Sequence, residues 1–147
     1  MKIKIATLGT IISLACASTV CQAQDFVLTT INNKNSISTL SIDTFTGGCS
    51  DKSPMVHFET CTSSPNAATG ETAANGTSTC TTNIEGLKTA CGGSTCPITV
   101  WEGAGCTGNK AGTARLNINN NNITMSEISG NITYTGSGSE GTMTVNQ

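Results

Sequence analysis

Six cysteines, Cys49, Cys61, Cys80, Cys91, Cys96 and Cys106, are spread over 58 positions of a chain that has little else to hold it together. Two more, Cys16 and Cys21, lie in an N-terminal stretch that reads as an export leader. Lys2 and Lys4 make a short positive start, Ile5 through Ala17 is uncharged and mostly apolar, and Val20-Cys21-Gln22-Ala23 offers a small residue for cleavage after Ala23. The apolar run is shorter than the roughly 18 to 20 residues a membrane-spanning helix needs. Residues 1–23 are therefore expected to be a secretory signal peptide that is removed, and residues 24–147 a single disulfide-rich β domain with no stable membrane insertion afterwards.

Cysteine parity supports that cleavage point. Cutting after Ala23 leaves six cysteines, whereas cutting after Ala17 leaves seven and strands one thiol in an oxidising compartment. Lipidation at Cys16 fits less well, because Leu14-Ala15-Cys16 is preceded by Ser13 rather than a large aliphatic residue and Cys21 would again be left over. The expected location is secreted or periplasmic.

The remaining 124 residues explain why cross-links are needed. Only 20 are Leu, Ile, Val or Phe, and 65 are Thr, Ser, Asn or Gly. So little aliphatic content approaches the range of disordered chains, but five Lys or Arg against nine Asp or Glu give too little charge to keep a chain expanded. Three disulfides, at about 2 to 4 kcal/mol each, add an amount comparable to the whole net stability of an ordinary domain, about 5 to 15 kcal/mol. Six cysteines allow 15 pairings. The least costly loop closures favour Cys49 with Cys61, Cys80 with Cys91 and Cys96 with Cys106.

Local patterning is that of strands, and the fold class expected is all-β: a small, disulfide-stapled antiparallel sandwich or meander with a long polar loop. Phe26 to Ile31 and Ser36 to Phe45 read as a hairpin around Asn32-Asn33-Lys34-Asn35, and Met55 to Cys61 as a further strand. Thr62 to Asn83 holds no aliphatic side chain larger than Ala and reads as a surface loop tethered by Cys61 and Cys80. Ile84 to Lys88 fits one helical turn, and Pro97 to Glu102 a strand. Leu116 and Ile118, Ile123 and Met125, Ile132 and Tyr134, and Met143 and Val145 alternate with polar residues, as in an antiparallel meander with one wet face and a last turn at Gly136 to Gly141.

Chemistry-bearing constellations are few. A pI near 5.2 supplies no basic field for phosphates, which excludes nucleic acid as a partner. Only Cys91 and Cys96 are closely spaced, so disulfides explain the cysteines better than zinc, and no metal or cofactor box is present. His57, with Asp51, Ser53 and Glu59 near it, is the one place a small hydrolase could be built, yet no glycine-flanked nucleophile motif accompanies it. Trp101 and Tyr134 read as packing residues. Asn75, Asn122 and Asn131 each begin a glycosylation acceptor triplet, which matters only in a host that glycosylates.

Two Thr-Cys-Thr triplets, at Thr60 to Thr62 and Thr79 to Thr81, resemble those of Cys- and Thr-rich solenoids that bind ice. The 19-residue separation does not recur, and such a face requires a regular register, so the resemblance carries no expectation of that function. The expected role is non-catalytic binding of a macromolecule at the cell surface or outside, as an adhesin-like module, an inhibitor or a secreted effector. An inhibitor would present the segment from Cys91 to Cys106, around Gly103 to Gly105. A hydrolase centred on His57 and a structural component of an extracellular matrix or coat are the alternatives.

Overall fold

The computed structural model describes residues 24–42, 60–63 and 70–147. They form two five-stranded sheets around one apolar core, as the strand-rich pattern predicts. The first sheet has the order β3-β5-β1-β10-β9, built from β1 (Asp25–Asn32), β3 (Thr60–Thr62), β5 (Thr77–Asn83), β9 (Ile132–Ser137) and β10 (Glu140–Val145). The second has the order β4-β2-β6-β7-β8, from β2 (Ser38–Ile42), β4 (Glu71–Thr72), β6 (Thr95–Trp101), β7 (Lys110–Asn119) and β8 (Asn122–Gly130). The pairings are antiparallel except β1 with β10, which is parallel. Alternate residues point to opposite faces of a strand. Phe26 and Leu28, Ile98, Leu116 and Ile118, and Met143 and Val145 therefore meet in the core from both sheets.

The expected hairpin between the first two strands does not form. β1 pairs with β5 and β10, while β2 pairs with β4 and β6 in the opposite sheet. The reason is Asn32, fully buried rather than at a hairpin tip. Its amide nitrogen donates to the carbonyls of Ser36 (2.8 Å), Ala73 (3.0 Å) and Thr72 (3.3 Å), and its side-chain oxygen accepts from the backbone N–H of Lys34 (3.0 Å). One side chain thus ties the first strand's end to its own turn and to the chain after β4. The turn becomes a corner between sheets.

The segment expected as a long polar loop is also reassigned where it is described. β5 lies between β3 and β1 and is interior to the first sheet. Ser78, Cys80 and Thr82 are buried although two of them are polar. Small side chains suit this position, because Ser78 and Thr72 share a 2.7 Å hydrogen bond between their hydroxyls and satisfy each other inside. Residues 64–69 of that segment lie outside the described residues.

A helix, α1 (Ile84–Cys91), follows β5 and is longer than the single turn expected. Asn83 caps it, accepting from the N–H groups of Glu85 (2.9 Å) and Gly86 (3.2 Å), and Gly92 ends it in the left-handed conformation at φ 66°. Ile84, Leu87, Ala90 and Cys91 turn inward. The last four strands make two hairpins, as their alternation predicts, but not one meander: β7 and β8 belong to the second sheet, β9 and β10 to the first. The chain crosses over at Gly130, where φ is +79° and an added Cβ would lie 2.5 Å from the Ala111 carbonyl oxygen.

The disulfide pairing differs from the expected one. Cys61 bonds to Cys80 and Cys91 to Cys96. The first pair sits directly opposite in the β3–β5 register, with Cα atoms 4.1 Å apart. The second joins the end of α1 to the start of β6. Cys106 is also disulfide-bonded, and Cys49 lies outside the described residues.

Candidate functional site

The two sheets treat their outer faces differently. On β2 and β6 of the second sheet, Thr39, Ser41 and Thr99 point away from the core yet are fully buried. Trp101, half-buried, lies beside them, its indole nitrogen donating to the Ser41 hydroxyl (3.1 Å), which in turn donates to the Thr99 carbonyl (3.2 Å). The Lys110 ammonium stands 5.3 Å from the indole centre, and Lys34 pairs with Glu102 at 2.9 Å. Thr39 donates to the Gly103 carbonyl, and the Gly105 N–H donates to the buried Glu71 carboxylate at 2.9 Å. Gly103 to Gly105 is thus a fastened turn. Farther out, Arg115 pairs with Glu127 (2.9 Å), and Asn117 donates to the Ser126 hydroxyl (2.9 Å). The polar side chains of this face are thus largely engaged in hydrogen bonds and ion pairs.

The first sheet's outer face is of another kind. Alternation turns Ser78, Cys80, Phe26, Leu28 and Met143 inward, and their neighbours outward. Registers then align the outward residues in rows across the sheet. The central row runs Thr62, Thr79, Thr29, Thr142, Thr135, one threonine from each of the five strands. On one side lies the row Thr60, Thr81, Val27, Glu140, Ser137, and on the other Thr77, Ile31, Thr144, Thr133. Ten of these 14 residues are threonine, and Glu140 is the one charge among them. Neighbouring strands are about 4.8 Å apart and successive rows about 6.7 Å.

Every one of these side chains is exposed or half-buried. The Thr29 and Thr79 hydroxyls approach to 3.4 Å, and Thr62 donates to the Thr79 carbonyl at 3.3 Å. Between β1, β10 and β9 the face dips into an open depression of about 400 Å³, lined by Val27, Thr29, Thr142, Glu140, Thr135 and Ser137 among others. Beneath the β3 edge, the Cys61–Cys80 disulfide clips the outermost strand to its neighbour.

The sequence-derived candidates fall as follows. Asp51, Ser53, His57 and Glu59 lie outside the described residues, as do residues 1–23. Among the described residues, no three His, Cys, Asp or Glu side chains are grouped so as to hold a metal ion. Tyr134 packs against the core from β9, and its buried hydroxyl finds no partner among the described residues. Burial pushes that phenol above its ordinary value. Asn75, Asn122 and Asn131 are exposed.

The threonine face is what sequence reasoning missed. Its signal was present as Thr-x-Thr at Thr60, Thr77, Thr79, Thr133 and Thr142, each placing two threonines on one side of a strand. What the sequence lacks is the neighbour order that lines those pairs up. Comparison with protein-family models, with curated proteins and with solved structures finds no match to this chain.

Proposed function

We propose that this chain is an exported, non-catalytic binding protein that contacts a partner at the cell surface or outside through the threonine face of its first sheet. One observation supports this most: of two outer faces, one has polar side chains that are buried and hydrogen-bonded, and the other presents a continuous and nearly uncharged array. An extended face of repeating chemistry suits an extended partner, which favours an adhesin-like role over insertion of a single inhibitory loop. Export rests on the leader and its cleavage after Ala23, and disulfides accord with an oxidising compartment. No helix among the described residues is long and apolar enough to cross a membrane.

Four measurements test the reading. Intact mass of protein from fractionated producing cells is expected to equal residues 24–147 less six hydrogens, in the periplasm or the medium. Free thiols or a retained leader would refute export with cross-linking. Retention on intact producer cells, chitin, cellulose and ice is then compared for the wild type, Thr29→Lys with Thr142→Lys, and Thr95→Lys on the second sheet. Loss in the first variant alone supports the face. Turnover of ester, peptide or glycan substrates that vanishes in His57→Ala with the fold kept would replace binding by hydrolysis. Assembly of the mature protein into polymers would point to a matrix or coat component.

A further inference from the structure

Resting on that reading of the face, we propose that its ligand is the ordered water at the surface of ice. The face is a two-dimensional array: the central row carries a threonine on each of five strands at the inter-strand spacing, and five further threonines flank it at the two-residue spacing, interrupted by Val27, Glu140, Ser137 and Ile31. The inter-strand spacing lies close to the a-axis repeat of hexagonal ice. Threonines whose backbone is anchored at that period hold waters at positions a crystal can adopt, the Thr29 and Thr79 hydroxyls being drawn together to 3.4 Å, and the adjoining methyl groups exclude waters from other positions.

Three further properties serve the same end. Threonine is β-branched and stiff at χ1, so its hydroxyl and methyl are fixed relative to the backbone before any contact. Binding then costs little side-chain entropy, which a weakly attractive ligand such as water requires. The backbone beneath is held too, since β5, β1 and β10 are paired on both sides and β3 is clipped by Cys61–Cys80. Charge, which orders water radially and not on a lattice, is limited to Glu140 within these rows and Asp25 at the end of β1.

The same inventory argues against other ligands. A protein partner is gripped chiefly through Trp, Tyr and Arg, and a sugar through aromatic platforms. None of the 14 residues is aromatic or basic, and Tyr134 points to the core. The absent sequence repeat is no obstacle, because β3, β5, β1, β10 and β9 come from separate parts of the chain and the sheet itself creates the period.

The experiment uses the oxidised mature protein with polycrystalline ice as the probe, reading incorporation into a slowly growing ice front and arrest of recrystallisation. Wild type is expected to enter the ice and to arrest grain growth. Thr29→Lys with Thr79→Lys is expected to need at least about tenfold more protein, the equivalent of about 1.4 kcal/mol. Should that variant fail to fold, Thr29→Val with Thr79→Val removes the hydroxyls at constant volume and is expected to weaken arrest in the same direction. Glu140→Thr, which extends the lattice, is expected to lower the concentration needed, whereas a partner that recognises the carboxylate would bind this variant less well.

Folded wild type excluded from ice overturns the proposal. If face substitutions still abolish retention on producer cells, chitin or cellulose, the binding reading stands with another ligand. If they abolish nothing, both fall.

Discussion

The Cys61–Cys80 bridge should contribute stability through the unfolded chain, and the size of the effect follows from its position. The cysteines are 19 residues apart, and chain-entropy closure of a loop that long corresponds to about 3.2 kcal/mol at 25 °C. Replacing both with alanine is therefore expected to cost about 3 kcal/mol and to lower Tm by about 10 to 20 °C. Urea titration of residues 24–147 offers a second signature. An uncross-linked unfolded chain exposes more surface, so the midpoint should fall while the m-value rises. Cys91–Cys96 closes only five residues, for which the same relation gives about 2 kcal/mol. So short a loop barely compacts the unfolded chain, and its removal should leave m nearly unchanged. A loss below about 1 kcal/mol for the Cys61/Cys80 variant, or an m-value that does not move, would refute the view that this bridge acts by restricting the unfolded state.

Three other perturbations test the architecture. Asn32→Ala leaves the carbonyls of Ser36, Thr72 and Ala73 without their donor and is expected to cost about 2 to 4 kcal/mol, while Asn33→Ala, exposed beside it, should stay within about 0.5 kcal/mol; denaturant melts decide. Asn83→Ala removes the helix cap and is expected to cost about 1 kcal/mol, a value near zero meaning that α1 is held by packing alone. Tyr134→Phe removes a buried hydroxyl without a partner among the described residues, and stability should rise by about 1 kcal/mol. Because burial raises the folded-state pKa of Tyr134, the phenol is neutral in both states below about pH 10 and ionises first in the unfolded chain above it. Stability should therefore decline as pH rises past about 10, by more in the wild type than in Tyr134→Phe. Tyr134 is the sole tyrosine, so tyrosinate absorbance reports its titration directly; a midpoint at or below the ordinary value would contradict burial as the cause.

Much of the local structure was legible because it depends on near neighbours. The alternation of Leu116, Ile118, Ile123 and Met125 marked the β7–β8 hairpin, with Asn119 to Asn122 at its turn. Ile132, Tyr134, Met143 and Val145 marked the β9–β10 hairpin in the same way. Legibility failed where a polar residue plays a buried part. Asn32 reads as a turn residue and is one, but its burial against the chain after β4 sends β2 to the opposite sheet. Ser78 and Thr82 read as loop and are core, because hydroxyls can be paired inside.

The threonine face divides along the same line. The amino-acid sequence alone determined the strand-rich composition, the cysteines available for cross-linking and the Thr-x-Thr pairs, since alternation along one strand is a property of covalent geometry. Only the tertiary structure decided that Thr62, Thr79, Thr29, Thr142 and Thr135 stand in one row, and that Cys61 faces Cys80. Strand order and register are set by which buried surfaces fit together across the whole chain, and no short stretch of residues carries that information.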